Sequence, residues 1–286
     1  MLSSLKVFIA VLVLGVSIGS LRSTSAFHDG DTMPRQFPIS LFGVRAPSIV
    51  PQEHRLTDQE EESFLAYAKT TKEFPRYLFS GCHDRAHAAF KLLPKPLKSK
   101  VMKIWLMSPG VYSAGFYGLI GVKGTDEVSK AVSWGYHVAL AYRDRNGSLR
   151  VLDPALRSGE VITERAWFDL LNIPALSLWT LTQPTVYQFT FTKTNDKAVN
   201  PEVWTGDYFN DDGNLNPDTL PSVLARDAIG VDALGSLTCA TLRSVAREPD
   251  KLQNILRGEL PADCKASAER YAVEKARWAK IFSIVN

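Results

Sequence analysis

Three short stretches constrain this chain more than any bulk property. Ser80-Gly81-Cys82-His83-Asp84-Arg85-Ala86-His87 opens a helical pattern. Trp134-Gly135-Tyr136-His137-Val138-Ala139 opens an alternating apolar run, and Val151-Leu152-Asp153-Pro154 closes a second one. Residues 136–142 and 149–153 read as two strands of a hairpin, joined through Asn146-Gly147. A fold that uses these residues together must set the start of a helix against the start of that hairpin. This predicts an α+β architecture, with the cysteine helix packed on an antiparallel sheet.

A cysteine, then a strand histidine, then an aspartate has a chemical logic. A thiolate needs a base to form it, and the base needs a carboxylate to fix its tautomer. Ser80 is a suitable N-cap, which would put Cys82 in the first turn, where free N–H groups and the helix dipole favour a thiolate. The same N–H groups can hold an oxyanion. Gly81 lets a substrate approach the sulfur. On these grounds Cys82, His137 and Asp153 are the expected catalytic residues.

Asp153 imposes a geometric condition. A strict two-residue turn at Asn146-Gly147 pairs residue 140 with 153, which puts His137 and Asp153 on opposite faces. A three-residue loop over 145–147, with Gly147 left-handed in a bulge, pairs 139 with 153 and puts both on one face. The triad therefore requires the bulged hairpin.

The chain has 286 residues, 45% of them hydrophobic, enough for a sizeable core. Lys6, the apolar run over 7–19 and Thr24-Ser25-Ala26 form the pattern of a signal peptide over residues 1–26. The run is shorter than the roughly 20 residues a spanning helix needs, so cleavage is expected and a membrane anchor is not. Without Lys6 and Arg22 the formal charge falls from +3 to +1, and no basic cluster interleaves with aromatics, which argues against nucleic acid. The expected location is secreted or periplasmic, an oxidising setting. Of three cysteines, Cys239 and Cys264 share the C-terminal helical part; pairing them leaves Cys82 free.

The remaining organisation follows from local signals. Residues 27–56 contain Pro34, Pro38, Pro47 and Pro51 and read as an extended arm or propeptide. Thr57 and Glu60 form a capping box for a helix over 57–74. The cysteine helix over 81–93 ends at Pro94 and Pro96. Strands are expected at 101–107 and 186–192. The glycine-rich stretch 110–124 reads as a loop over a site or as turns between short strands. The four Asp of 207–218 suggest an Asx-rich turn; Thr219 stands where a calcium loop would close with an acid. Helices are expected at 232–247, 249–257 and 262–282. The domain reading is a catalytic domain over 57–195 and a helical region over 196–286.

Two further groups of residues have competing assignments. His83 and His87 have the i, i+4 spacing of metal ligands, but no Glu takes the place a zinc hydrolase needs, and neighbouring Cys82 and His83 diverge by about 100° on a helix. No metal or cofactor is expected, and His87 is read as a packed residue behind the site. Trp134, Tyr136 and the aromatic residues of 112–117 are candidates for the wall of a substrate groove, with ordinary core as the alternative.

The quoted motifs, with Leu152-Asp153-Pro154-Ala155-Leu156, resemble the bacterial protein-glutaminase family, the protein-glutamine deamidases. The resemblance covers residues 75–160, under a third of the chain, and the Cys-x-x-Arg-Ala-His piece is its most specific part. It implies a papain/transglutaminase-like fold and a secreted hydrolase. Cys82 would be nucleophile, His137 base and Asp153 its orienter. Its substrates would be proteins or peptides with exposed glutamine, and a monomer is expected. The family has an aromatic residue at the position of His83 and a long inhibitory propeptide, for which residues 27–56 are a short candidate. A papain-like peptidase, a transglutaminase-like acyltransferase or toxin, and an inactive secreted binding module are the alternatives.

Overall fold

The core of the molecule is a sheet whose two middle strands are buried along nearly their whole length. The computed structural model describes residues 34–36, 54–74, 78, 81–112, 118–125, 129–130, 132–194, 198–204, 237, 239–245 and 249–283. The signal peptide, most of the 27–56 arm, Ser80, the aromatic stretch 113–117 and the Asp-rich 207–218 segment lie outside these residues. Residues 33–286 form one compact unit.

In chain order the described elements begin with β1 (Arg35–Gln36), α1 (Asp58–Thr70) and α2 (Cys82–Leu92). Next come β2 (Val101–Met107), α3 (Pro109–Tyr112), β3 (Gly121–Val122), β4 (Tyr136–Arg143) and β5 (Leu149–Leu152). They are followed by β6 (Val161–Thr163), α4 (Glu164–Asp169), β7 (Leu171–Asn172) and β8 (Leu178–Thr182). β9 (Gln188–Thr194), β10 (Ala198–Trp204), α5 (Ala240–Val245), α6 (Pro249–Leu256) and α7 (Ala262–Ser283) complete the order.

Six strands form one sheet in the order β1-β8-β2-β4-β5-β6. Every pairing is antiparallel except the short β1–β8 edge. β2 is buried at all seven positions, as expected of a central strand covered on both faces. On one face α1 and α2 pack over Leu140, Tyr142 and Leu152, together with Phe64, Ala88 and Phe90. On the other, Ile104, Ala139 and Val151 meet Trp167, Phe168 and Trp179. The small Ala86, Ala88 and Ala89 are all buried, which lets α2 approach β4 closely. The expected α+β arrangement, a cysteine helix on an antiparallel sheet, is the one observed.

Local details follow the sequence in part. The capping box is present: Glu60 N–H donates to Thr57 Oγ1 at 3.3 Å, and Thr57 N–H donates to Glu60 Oε2 at 2.9 Å. The helix it caps ends at Thr70 and continues as a 3₁₀ turn over Thr71–Glu73. At α2 the N-cap is Gly81, not Ser80; Gly81 is left-handed (φ 76°) and no side chain caps the helix. The strand expected over 186–192 is shifted to 188–194, because residues 183–186 close a turn through Val186 N–H and Gln183 O. β10 is a strand within the stretch read as helical, and it pairs antiparallel with β9.

The C-terminal helices have a small core of their own, built from Leu237, Leu242, Leu252 and Tyr271 around a Cys239–Cys264 disulfide. The two Cα atoms are 4.8 Å apart. Trp278 of α7 is fully buried and lies 5.8 Å from the ring of Phe74, within the core of the main sheet. No helix among the described residues is long and apolar enough to cross a membrane.

Candidate active site

The register of the β4–β5 hairpin fixes the site. Leu140 pairs with Leu152 and Arg143 with Leu149, so residue 139 is in step with 153. This is the bulged register. Gly147 is left-handed (φ 84°), its N–H donates to Asp144 O, and Asp144 N–H donates to Ser148 O. The loop is therefore 145–147. Buried Asp144 clamps it: Oδ1 accepts from the N–H groups of Asn146 and Ser148, and Oδ2 from Arg150 Nε. Sequence reasoning did not single out Asp144, although an Asp opening an Asn-Gly turn is a recognisable signal.

With that register, His137 and Asp153 share a face. His137 Nε2 lies 2.7 Å from Asp153 Oδ2 in a fully buried contact. Asp153 is held from three further directions. Trp167 Nε1–H donates to Oδ2 at 2.8 Å, and the N–H groups of Ala155 and Leu156 donate to Oδ1. Burial alone would raise the Asp153 pKa, but the charge and hydrogen bond of His137, then the Trp167 hydrogen bond and the Arg85 charge, hold it below the ordinary carboxylate value. Trp167 sits in α4, an element the sequence did not announce.

The His137 ring is flanked by indoles. Trp134 stacks on it with centroids 4.2 Å apart and planes 8° from parallel, and Trp167 lies 5.6 Å away. Trp134, a candidate for a groove wall, is buried with its face against the imidazole, and its Nε1–H donates to Leu78 O. Burial lowers the His137 pKa, but Asp153 outweighs it and raises the value to about 9. Its Nδ1 is buried and makes no hydrogen bond, and Cys82 adds to the upward shift of the ring after Asp153.

Cys82 opens α2 and packs with Trp105, Val138 and Val186 on the helix-covered face of the sheet. It is the free cysteine of the chain and is buried. Burial pushes its thiol pKa up, while the hydrogen-bonding influence and charge of His137 and then His83 bring it down to about 6. The first N–H groups of a helix have no partner within it, so α2 presents donors beside the sulfur.

Tyr136 keeps partly exposed surface, and its hydroxyl lies 3.0 Å from His83 Nδ1. His87 is buried with Nδ1 3.0 Å from Lys103 Nζ, as a packed residue behind the site. Burial and the Lys103 charge push its pKa well down. Among the described residues no group of three or more His, Cys, Asp or Glu is placed to hold a metal ion. The site thus places a buried thiol at the start of α2 and a buried imidazole–carboxylate pair on the hairpin, groups capable of nucleophilic and acid–base chemistry.

The site sets a helix-borne cysteine near a strand-borne His–Asp pair. Residues 61–171 match the model of a family described as glutaminase, and over that span the resemblance to the protein-glutaminase family holds. No curated protein matches the chain. Among solved structures, a protein-glutaminase matches at 20% identity with a TM-score of 0.34, covering 52% of this chain and 83% of its own. A pro-protein-glutaminase matches at 17% identity and a TM-score of 0.37, covering 71% of this chain. A mutant of that proenzyme matches at 18% identity with the same TM-score. The chain spans 62% and 64% of the lengths of these two proenzyme forms.

Proposed function

We propose that this chain is a secreted cysteine hydrolase that converts protein-bound glutamine side chains to glutamate. The observation that carries the reading is the buried 2.7 Å contact of His137 with Asp153, with the free thiol of Cys82 at the start of α2. The glutaminase match over residues 61–171 supports the substrate chemistry. In this reading residues 57–195 are the catalytic domain, 1–26 a signal peptide, 27–56 an arm or propeptide, and 196–286 an appended region. Gly81 and Tyr136 line the approach of the substrate.

The reaction begins with the Cys82 thiolate attacking the carboxamide carbon of glutamine. The carbonyl electrons move to oxygen, and the N–H groups opening α2 stabilise the oxyanion. His137, protonated on Nδ1, gives that proton to the amide nitrogen; the C–N bond breaks and ammonia leaves. The product is a thioester with neutral His137. Water then loses a proton to His137 and attacks the thioester; the C–S bond breaks, leaving glutamate and the thiolate–imidazolium pair. Asp153 holds the ring through Nε2 and keeps Nδ1 on the sulfur side.

The test is mass spectrometry of casein incubated with the protein, with ammonia measured in parallel. Gln-to-Glu conversion in an intact chain is the expected result. New peptide termini would indicate a peptidase, and cross-links an acyltransferase. A Cys82 inert to iodoacetamide at neutral pH, with no ammonia released, would indicate a binding module.

A further inference from the structure

A second imidazole, that of His83, adjoins Cys82 in the first turn of α2. Its ring is held at both nitrogens. Nδ1 lies 3.0 Å from Tyr136 Oη, and Nε2 lies 3.7 Å from Asp84 Oδ2. Asp84 is buried; Tyr187 O–H donates to Oδ1, and Oδ2 makes no hydrogen bond. A buried carboxylate oxygen without a hydrogen bond is costly unless a positive charge stands near it. The Tyr187 ring also meets His83 edge-on at 5.1 Å. The His83 side chain is 15% exposed, whereas that of His137 is wholly enclosed. Thus His83, like His137, stands next to a buried carboxylate, and it directly follows Cys82 in the chain.

We propose that His83 is a second counter-charge to the Cys82 thiolate, paired with Asp84 and oriented by Tyr136. This rests on the reading of Cys82 as the nucleophile. Its place in the cycle is the second half, when His137 takes a proton from water and sulfur must depart as an anion. A remaining positive charge beside the sulfur makes it a better leaving group. The groups facing His83 are Asp84 and His87 on its own helix, Lys103 on β2, Tyr136 on β4 and Tyr187 before β9, with Cys82 itself. Burial and Lys103 oppose the charge; Asp84 and the thiol favour it and prevail, so that the His83 pKa is raised. Lys103 is itself occupied by Val186 O and His87.

The test is the pH dependence of iodoacetamide alkylation at Cys82 in the disulfide-intact protein, read by peptide mass. In His83→Phe, which keeps a ring against Tyr187, the midpoint should rise by about one unit, as expected when a neighbouring cation is removed. A rise of less than about 0.5 unit overturns the proposal. If that variant does not fold, NMR titration of the His83 ring decides. Its midpoint should fall in Cys82→Ser, because the coupling is reciprocal, and an unmoved midpoint overturns the proposal. Neither readout needs turnover. Ammonia release by Cys82→Ala tests the nucleophile itself, so the two failures are distinguishable.

Discussion

Asp153 reaches His137 at 2.7 Å because a left-handed residue six positions upstream of Asp153 sets the strand register. A one-residue change in the hairpin would carry the carboxylate to the opposite face of the sheet. The alignment of the site is therefore encoded at Gly147, far from the chemistry.

Gly147→Val should lower both stability and activity. A β-branched residue at φ 84° is strained by about 1–2 kcal/mol. The added Cβ would meet the Arg55 guanidinium at 3.1 Å, a flexible group that can move, so the backbone term dominates. Gly147→Asn should stay close to wild type, because Asn tolerates this region. Thermal unfolding and ammonia release check both. Equal loss in the two variants would indicate that the side chain, not the backbone, is at fault.

Asp153→Asn should fold and lose turnover by roughly 10³–10⁴-fold, because the imidazolium loses its ionic partner and the tautomer is no longer fixed. Trp167→Phe keeps the ring but removes the N–H donated to Asp153 Oδ2. A lost hydrogen bond to a charge is worth about 1.5–3 kcal/mol, so a decrease of roughly 10- to 100-fold in kcat/KM is expected. Steady-state kinetics on both variants, with circular dichroism to verify folding, is the measurement.

The pH–rate profile should be a bell. As pH falls through about 6, Cys82 gains a proton and the nucleophile is lost. As pH rises through about 9, His137 loses the proton it must give to ammonia. The two limbs belong to the coupled pair rather than to either residue alone. In Asp153→Asn the alkaline limb should move to lower pH, because the group that raises the His137 pKa is gone. A profile without an alkaline limb below pH 10 would remove His137 as the proton donor.

Much of this site was legible because its signals are local. The run 101–107 is a strand at the expected bounds, and the Asn146-Gly147 turn, with the parity condition on Asp153, pointed to the register. What escaped was tertiary. Trp167 lies in a six-residue helix with no long periodicity, and its value comes from a contact with Asp153 that no spacing announces. The link between Tyr136 and His83 spans 53 residues and two elements. At the cap of α2, Ser80 is the better capping side chain, but the backbone there uses the left-handed freedom of Gly81. β6 and β8, at three and five residues, are held by their neighbours in the sheet rather than by a pattern of their own.

The last prediction concerns the appended helices. Trp278 is fully buried beside Phe74, which closes the turn after α1, so α7 is anchored in the core that supports α2. Trp278→Ala should cost about 3–5 kcal/mol, the usual effect of emptying a buried aromatic site. Reducing Cys239–Cys264 acts elsewhere: it releases a loop with a sequence separation of 25 and should cost on the order of 3 kcal/mol in the chain-entropy model. The two perturbations should differ in kind. Loss of Trp278 should lower the cooperative unfolding transition of the whole unit. Reduction should first loosen residues 237–271, seen as faster amide exchange there, while ammonia release is retained. If Trp278→Ala leaves the main transition unmoved and loosens only α5–α7, the C-terminal helices are an independent module and Trp278 is not their anchor.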